Sequence, residues 1–345
     1  MRVHDLTIDG VAVSAPEGTT VLDAARKKGI YIPHLCDRPD LKPVGVCRMC
    51  TVEVEGKGLV ISCKTPVRDG MVVRTESEGV SKVRQVALEL LIADHDSDCL
   101  TCAKDTNCSL QRVARHVGVD SPRLARIRRE RDRRPLDTSN PFFDFDPNRC
   151  ILCGICVRTC DELQNINAID YTFRGTKTLI AGFGNRPRIE TNCESCGECV
   201  VRCPVGALVP KDSRQPSKLV RTICSFCGCG CGMLLGVRDG EIVSAAGDFK
   251  NPASRGRLCV KGRYGYRYVN SPERLTTPLV KRDGEFIPVG WDEALDLVAE
   301  KFSESMGDSF ATIASAKCTN EENYVVQKFT RVVMGTNNID HCARL

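Results

Sequence analysis

Tryptophan is almost missing from this sequence, with one in 345 residues, and aromatic residues together supply only 5%. A chain so poor in large rings builds small cores, so its modules need something besides apolar packing to hold them. No stretch reaches the roughly 18 apolar residues of a membrane-spanning helix, so no membrane span is expected. Residues 1–20 also lack an apolar export segment: Met1-Arg2-Val3-His4 leads straight into a polar, alternating stretch. The expected localisation is therefore cytoplasmic. The net charge of +5 is modest, although Arg123 to Arg134 carries seven arginines. Neither interleaved aromatics nor a groove-entering motif accompanies that run. It reads as a solvated helix or linker, and no nucleic-acid partner is expected.

What is abundant is cysteine, with 22 residues. Cysteine at this density means disulfides or metal, and disulfides require an oxidising compartment. With no export signal, the thiols read as metal ligands, and their spacings say which metals.

The first module opens with a hairpin over Leu6–Ala15 turning at Asp9-Gly10, then a helix over Val21–Lys28 ended by Gly29. Cys36, Cys47 and Cys50 follow in a loop, and Cys63 lies beyond a strand over Cys50–Glu55, as C-x10-C-x2-C-x12-C. Three ligands on one long loop and a fourth past a strand suit a flat [2Fe–2S] rhomb wrapped by backbone, with Gly45 allowing close approach. Zinc is the alternative, but a ten-residue first gap is unlike short zinc knuckles.

An amphipathic helix over Ser81–Ala93, with Val83, Val86, Leu90 and Leu91 on one face, then delivers His95, Cys99, Cys102 and Cys108 as H-x3-C-x2-C-x5-C. A cubane needs four ligands, so His95 is expected to join the three cysteines on a [4Fe–4S] centre. Next come two runs of C-x2-C-x2-C-x3-C: Cys150, Cys153, Cys156, Cys160 and Cys193, Cys196, Cys199, Cys203. This is the bacterial two-cluster ferredoxin arrangement, in which the last cysteine of each run ligates the other cluster. Cys150, Cys153, Cys156 and Cys203 should therefore hold one cubane, and Cys193, Cys196, Cys199 and Cys160 the other; two zinc sites are the poorer alternative. Pro204 follows the second run but Asp161 the first, where a local loop change is expected. Tyr171–Ala181 reads as a hairpin inserted between the runs.

Cys224, Cys227, Cys231 and Cys259 form a further C-x2-C-x3-C-x27-C set, with Cys229 surplus, around a short β-unit of Met233–Val237 and Glu241–Ala245. Lys261 follows the last ligand by two residues. Beyond it, a helix over Trp291–Phe302, a buried strand over Phe310–Ser315 and a helix from Thr319 to Val333 form part of an α/β unit.

These motifs resemble a known combination. The first two modules resemble the N-terminal β-grasp and His-ligated modules of complex-I-like and hydrogenase-like large subunits. The Cys224–Cys259 set, Lys317–Tyr324 (KCTNEENY) and Asn337–Leu345 (NNIDHCARL) resemble molybdenum- or tungsten-bis-pterin oxidoreductases, most nearly formate dehydrogenase α subunits. The resemblance covers the chain, and 19 of its 22 cysteines fall on ligand positions.

It implies an α+β multi-module fold. The expected parts are a β-grasp [2Fe–2S] ferredoxin domain at 1–79, a His/Cys3 [4Fe–4S] domain at 80–135, a two-cluster bacterial ferredoxin domain at 140–215, a small β-rich [4Fe–4S] domain at 218–275 and an incomplete α/β pterin-binding domain at 276–345. It implies one [2Fe–2S] and four [4Fe–4S] clusters, with Lys261 between cluster and pterin, and a bis-molybdopterin guanine dinucleotide carrying Mo or W only in the full-length enzyme. Implied partners are a flavoprotein NADH-dehydrogenase-like subunit, a hydrogenase or a ferredoxin. The implied metal-ligating residue falls directly after Leu345, so no catalytic residue is expected within the chain. Truncation at a selenocysteine UGA codon is the expectation that goes with this. Two alternatives remain open: the large subunit of a complex I or NADH-linked hydrogenase, and a stand-alone electron carrier.

Overall fold

The computed structural model describes residues 2–128, 133–211 and 214–342. Part of the arginine run and the last residues of the NNIDHCARL segment lie outside the described residues. The chain divides into two compact units, Met1–Asp212 and Ser213–Leu345.

The first unit begins with a five-stranded sheet. Strands β1 (Val3–Ile8) and β2 (Val11–Pro16) form the expected hairpin, and helix α1 (Val21–Lys27) starts at Thr20, whose hydroxyl accepts the Asp23 N–H. Strands β3 (Thr51–Val54), β4 (Gly58–Ile61) and β5 (Met71–Arg74) complete the order β2-β1-β5-β3-β4, with β1 and β5 parallel and the other pairs antiparallel. Alternate residues Leu6, Ile8, Val52, Val54, Met71 and Val73 face α1 residues Val21, Leu22 and Ala25 in one apolar core. Cys50 and Cys63 sit at its edge, so the sheet anchors half of the first cysteine set.

Helix α2 (Glu78–Ala93) corrects the expected face. Val86 and Leu90 are exposed, and the buried stripe is Val80, Arg84, Leu88, Glu89 and Ala93. Two charged residues lie on that stripe, which is why an apolar periodicity missed it. Arg84 donates to the Thr51 carbonyl at 2.8 Å and to Glu76 at 2.9 Å. Glu89 receives Arg123 and the Asp120 N–H at 2.9 Å. An Arg84→Ala variant leaves the Thr51 carbonyl unmatched and a void beside the sheet. It should cost about 2–4 kcal/mol of stability, read as a shift in denaturation midpoint at unchanged m-value; a loss under about 0.5 kcal/mol would contradict this reading.

Helices α3 (Ser109–Val117) and α4 (Ser121–Ile127) follow. Among the described arginines of this run Arg126, Arg128 and Arg133 are exposed, as a solvated face predicts, while Arg133 also pairs with Asp96 and Arg134 donates to the Thr176 and Thr178 carbonyls at 2.9 Å each.

The two repeated runs sit between β6 (Phe143–Phe145) and β9 (Leu208–Pro210), which pair antiparallel and bring the ends of the region together. Each run makes one short helix, α5 (Ile155–Arg158) or α6 (Glu198–Arg202). Between them lies the expected hairpin of β7 (Asp170–Thr172) and β8 (Leu179–Ala181). After the first run the chain continues in a π-turn over Thr159–Leu163, closed by Gln164 N–H to the Thr159 carbonyl. After the second it leaves extended at Cys203. Pro204 has no N–H to donate and disfavours helix in the residue before it, whereas Asp161 does neither. That is the local change expected there.

The second unit carries a three-stranded antiparallel sheet of β10 (Lys218–Ile223), β11 (Gly232–Arg238) and β12 (Glu241–Gly247), with the β11–β12 turn at Asp239-Gly240, both at positive φ. Helix α7 (Val260–Tyr264), a β13 (Leu279–Arg282) and β14 (Glu285–Pro288) hairpin, and α8 (Trp291–Ser303) follow. Strand β15 (Thr312–Ala314) pairs in parallel with β16 (Ile339–His341) across α9 (Asn320–Val332), which opens with a Thr319/Glu322 capping box. The strand expected to be buried is not, since Ile313 is 83% exposed. Its two-stranded sheet has no layer on the outer face among the described residues. No helix among them is long and apolar enough to cross a membrane.

Candidate iron–sulfur centres

All 22 cysteines are free thiols, with no disulfide among them. Among the described residues no three His, Cys, Asp or Glu side chains converge on a single ion; they gather instead around wider sites.

Cys36, Cys47, Cys50 and Cys63 are all buried and form two thiol pairs. A hydrogen bond from Cys47 lowers the Cys36 thiol to about 6 against the rise from burial, helped by the Cys47 and Val46 amides. Cys50 is lowered in the same way by its Cys63 partner, and Cys47 and Cys63 are raised in return. The loop bends at Gly45 (φ 69°) and Arg48 (φ 59°). Gly45 takes a left-handed conformation that a side chain would strain, while a Cβ there would make only ordinary contact with Ile61 and Lys64 at 3.4 Å, so glycine is favoured by the backbone. Two pairs, each able to take one iron, fit a two-iron rhomb.

His95, Cys99, Cys102 and Cys108 line one cavity of about 170 Å3. Burial lowers the His95 pKa, which keeps the ring neutral, and Nδ1 is buried with no partner among the described residues. A neutral imidazole with an unsatisfied nitrogen beside three thiols is a ready ligand.

The two repeats interleave. Cys150, Cys153, Cys156 and Cys203 act on one another electrostatically, although Cys203 lies in the other run. Cys160 is coupled likewise to Cys193, and with Cys193, Cys196 and Cys199 it lines a second, tight cavity. Burial pushes the Cys150 thiol up to about 11 and Cys156 to about 12, and raises Cys153 and Cys199 well above the ordinary thiol value. Thiolates so disfavoured by burial need a cation to form at neutral pH. The backbone matches the pattern. Leu152 and Gly154 in one run, and Ser195 and Gly197 in the other, take positive φ. That turns amides inward, and Leu152 N–H reaches Cys150 Sγ at 3.4 Å. The fourth cysteines are cradled alike: Cys160 by Asn167, Ala168 and Ile169 amides, Cys203 by Val205, Ala207 and Leu208 amides.

In the second unit Cys224, Cys227, Cys231 and Cys259 act on one another, and Lys261 lies close enough to lower the Cys224 thiol against the larger rise from burial. Cys229 is exposed and bonds only to its neighbour Cys227 among the cysteines. Gly228 N–H points to the Ala316 carbonyl at 3.5 Å, and a Cβ on Gly228 would meet the Cys318 carbonyl at 3.3 Å, so the start of the KCTNEENY segment packs on this cysteine loop.

The chain matches five domain families in order: the 2Fe-2S iron-sulfur cluster binding domain over residues 2–78, the NADH-ubiquinone oxidoreductase-G iron-sulfur binding region over 84–123, the 4Fe-4S dicluster domain over 149–207, the molybdopterin oxidoreductase Fe4S4 domain over 217–271 and molybdopterin oxidoreductase over 274–345. It belongs to the molybdopterin oxidoreductase family, with iron–sulfur domains of the NADH-G type. The chain is 37% identical over 350 residues to the NADPH-Fe(3+) oxidoreductase subunit alpha of Geobacter sulfurreducens, a match spanning 99% of this chain and 40% of that protein. It is 36% identical to an NADH-quinone oxidoreductase chain of Rhizobium meliloti, over 98% of this chain and 40% of the relative. A Staphylococcus haemolyticus protein provisionally named a formate dehydrogenase is 30% identical over 98% of this chain and 39% of its own length. The chain thus spans about 40% of these curated relatives. A solved NAD+-reducing [NiFe]-hydrogenase in the H2-reduced state is similar at TM-score 0.56 and 34% identity, covering 61% of this chain and 88% of that one.

The family's iron–sulfur modules are knitted together inside the first unit. Arg158, between Cys156 and Cys160, donates to the Cys36 and Lys42 carbonyls at 2.5 and 2.7 Å. Arg38 donates to the Arg202 carbonyl beside Cys203 at 2.8 Å. On the other side, Ser109 N–H bonds the Pro204 carbonyl at 2.9 Å, and a Cβ on Gly206 would lie 2.3 Å from Cys102 Sγ. A cavity of about 360 Å3 is shared by Cys47, His95, Cys150 and Cys153. The Cys150/Cys203 set therefore borders three others. Sequence reasoning missed the arginines that arrange this; none lies in a cysteine motif's ligand pattern.

Proposed function

We propose that this chain is the iron–sulfur electron-transfer portion of a formate dehydrogenase α subunit. It would serve a bis-pterin Mo or W site and a flavoprotein NADH-dehydrogenase-like, ferredoxin or hydrogenase partner. The proposed ligand sets are those above: Cys36, Cys47, Cys50, Cys63 for [2Fe–2S], and His95, Cys99, Cys102, Cys108; Cys150, Cys153, Cys156, Cys203; Cys160, Cys193, Cys196, Cys199; and Cys224, Cys227, Cys231, Cys259 for [4Fe–4S]. When bound, such centres supply one-electron redox chemistry without proton transfer. The protein's own part is to bury the thiols, aim amides at them and hold the sets side by side.

The observation that carries this reading is the shared border of the Cys150/Cys203 set with its three neighbours. It supports a junction, with one branch toward His95 and another toward Cys36. The molybdopterin domains over 217–345 favour a pterin enzyme over a stand-alone carrier. Lys261 near Cys224 supports the same choice, as the cation proposed to face the pterin. A second reading, electron entry from a nicotinamide-linked partner, is favoured by the NADPH-linked relative being more similar than the formate-dehydrogenase-named one.

One two-iron and four four-iron centres require about 18 iron atoms per chain. Anaerobically purified protein should be brown and hold that iron; a colourless zinc protein overturns the ligand sets. In the full-length protein, formate added to the oxidised state should elicit the electron paramagnetic resonance signals of reduced clusters. Signals elicited only by a pyridine nucleotide with its partner would select the second reading.

A further inference from the structure

Arg188 is the least accounted-for charge in the first unit. It stands in the insertion between the two cysteine runs, in a short 3-10 turn over Arg188–Glu190, and is only 2% exposed. An arginine buried this far is costly unless its donors are used. Only part of that demand is met. Nη1 reaches Asp137 Oδ2 at 3.4 Å, a long contact, and the Arg188 backbone N–H takes the same oxygen at 3.2 Å. The guanidinium lies over the Phe145 ring at 4.0 Å. That contact uses its flat face, while the N–H bonds lie in the guanidinium plane and point elsewhere. Nε and Nη2 are buried with no hydrogen-bond partner among the described residues.

Arg188 lines the cavity formed by Cys160, Cys193, Cys196 and Cys199. It also opposes the rise that burial imposes on the Cys150, Cys156 and Cys199 thiols. One guanidinium thus acts on thiols of both interleaved sets.

We propose that Arg188 is a positioning residue shared by the two cubanes, its Nε–H and Nη2–H donating to their sulfur atoms and its fixed charge raising both reduction potentials. The inference rests on the proposed ligand sets. Each one-electron reduction adds a negative charge to a buried centre, and a cation fixed beside both offsets that charge whichever centre holds the electron. Hydrogen bonds to sulfur act in the same direction. Asp137 opposes it, so the pair sets the level.

The test is a potentiometric titration of the anaerobic, cluster-loaded full chain followed by electron paramagnetic resonance. Arg188→Gln should lower the midpoints of both ferredoxin-type cubanes, with the centre at Cys36–Cys63 unmoved as internal reference. Arg188→Lys keeps the charge but loses the fork, and should fall between wild type and Gln. Asp137→Asn leaves Arg188 in place and should raise both midpoints, so the proposal stays testable if the Gln variant fails to load. Unchanged midpoints in Asp137→Asn and in every loaded Arg188 variant would overturn it, as would a shift confined to one cubane. Absence of cubane signals from wild type would instead remove the ligand sets themselves.

Discussion

Stripping iron from the intact chain with a chelator should abolish hydrogen-exchange protection across residues 147–210 while leaving much of it over residues 3–74. The contrast follows from how each part is built. The five-stranded sheet has a continuous apolar core of 16 buried residues around α1, and only two of them are cysteines. Around the repeats the elements are too short to stand alone. Helices α5 and α6 have four and five residues, and strands β6 and β9 have three each. A helix of that length is far below what persists in water without tertiary support. Their buried neighbours, Ile151, Ile155, Val200 and Val205, lie next to ligands, so the packing depends on the thiols being drawn together. Metal ligation in small domains contributes on the order of 10–16 kcal/mol, comparable to or above the whole stability of an ordinary domain. Losing it should unfold the repeats outright. Exchange followed by mass spectrometry reads this segment by segment. Protection retained over 147–210 after complete iron loss would show that packing alone holds the repeats.

The same contrast explains what was legible in the sequence. Ligand spacing is a local, covalent property, so each cysteine set could be proposed directly from the sequence. Short strands around Asp9-Gly10 and Asp239-Gly240 were legible because the turn chemistry is local too. The face of α2 was not legible. Its buried stripe contains Arg84 and Glu89, whose partners Thr51 and Arg123 lie 33 and 34 residues away. Nothing in a periodicity count distinguishes a buried, paired arginine from a solvated one. The same holds for Arg158 and Arg188, whose roles depend on what long-range folding places opposite them. The exposed Ile313 is the reverse case: an apolar, β-branched sequence predicts burial, but only a covering layer can provide it.

Cys203→Ala should remove the cubane whose other ligands lie some fifty residues upstream and spare the one formed by its nearest cysteine neighbours. Read along the chain, Cys203 belongs with Cys193, Cys196 and Cys199. Read in space, its thiol acts on Cys150, Cys153 and Cys156, and it is cradled by its own downstream amides. Cys160 is the mirror case, sharing a cavity with the second run. Each substitution should lower iron by about four atoms per chain and delete one cubane signal. The two losses differ in consequence, because among the described residues Cys150 and Cys153 of the Cys150/Cys203 set, and no ligand of the other cubane, line the cavity shared by Cys47 and His95. Cys203→Ala should therefore interrupt reduction of the two-iron centre and the His95 centre together when electrons enter from the molybdopterin side. Iron analysis, resonance spectra and stopped-flow reduction of the single variants read the outcome. If Cys203→Ala instead deletes the same cubane as a Cys196→Ala variant, ligation runs within each repeat and the interleaved assignment is wrong. If both distal centres still reduce at wild-type rate in a variant lacking only the Cys150 cubane, the junction is not on the path.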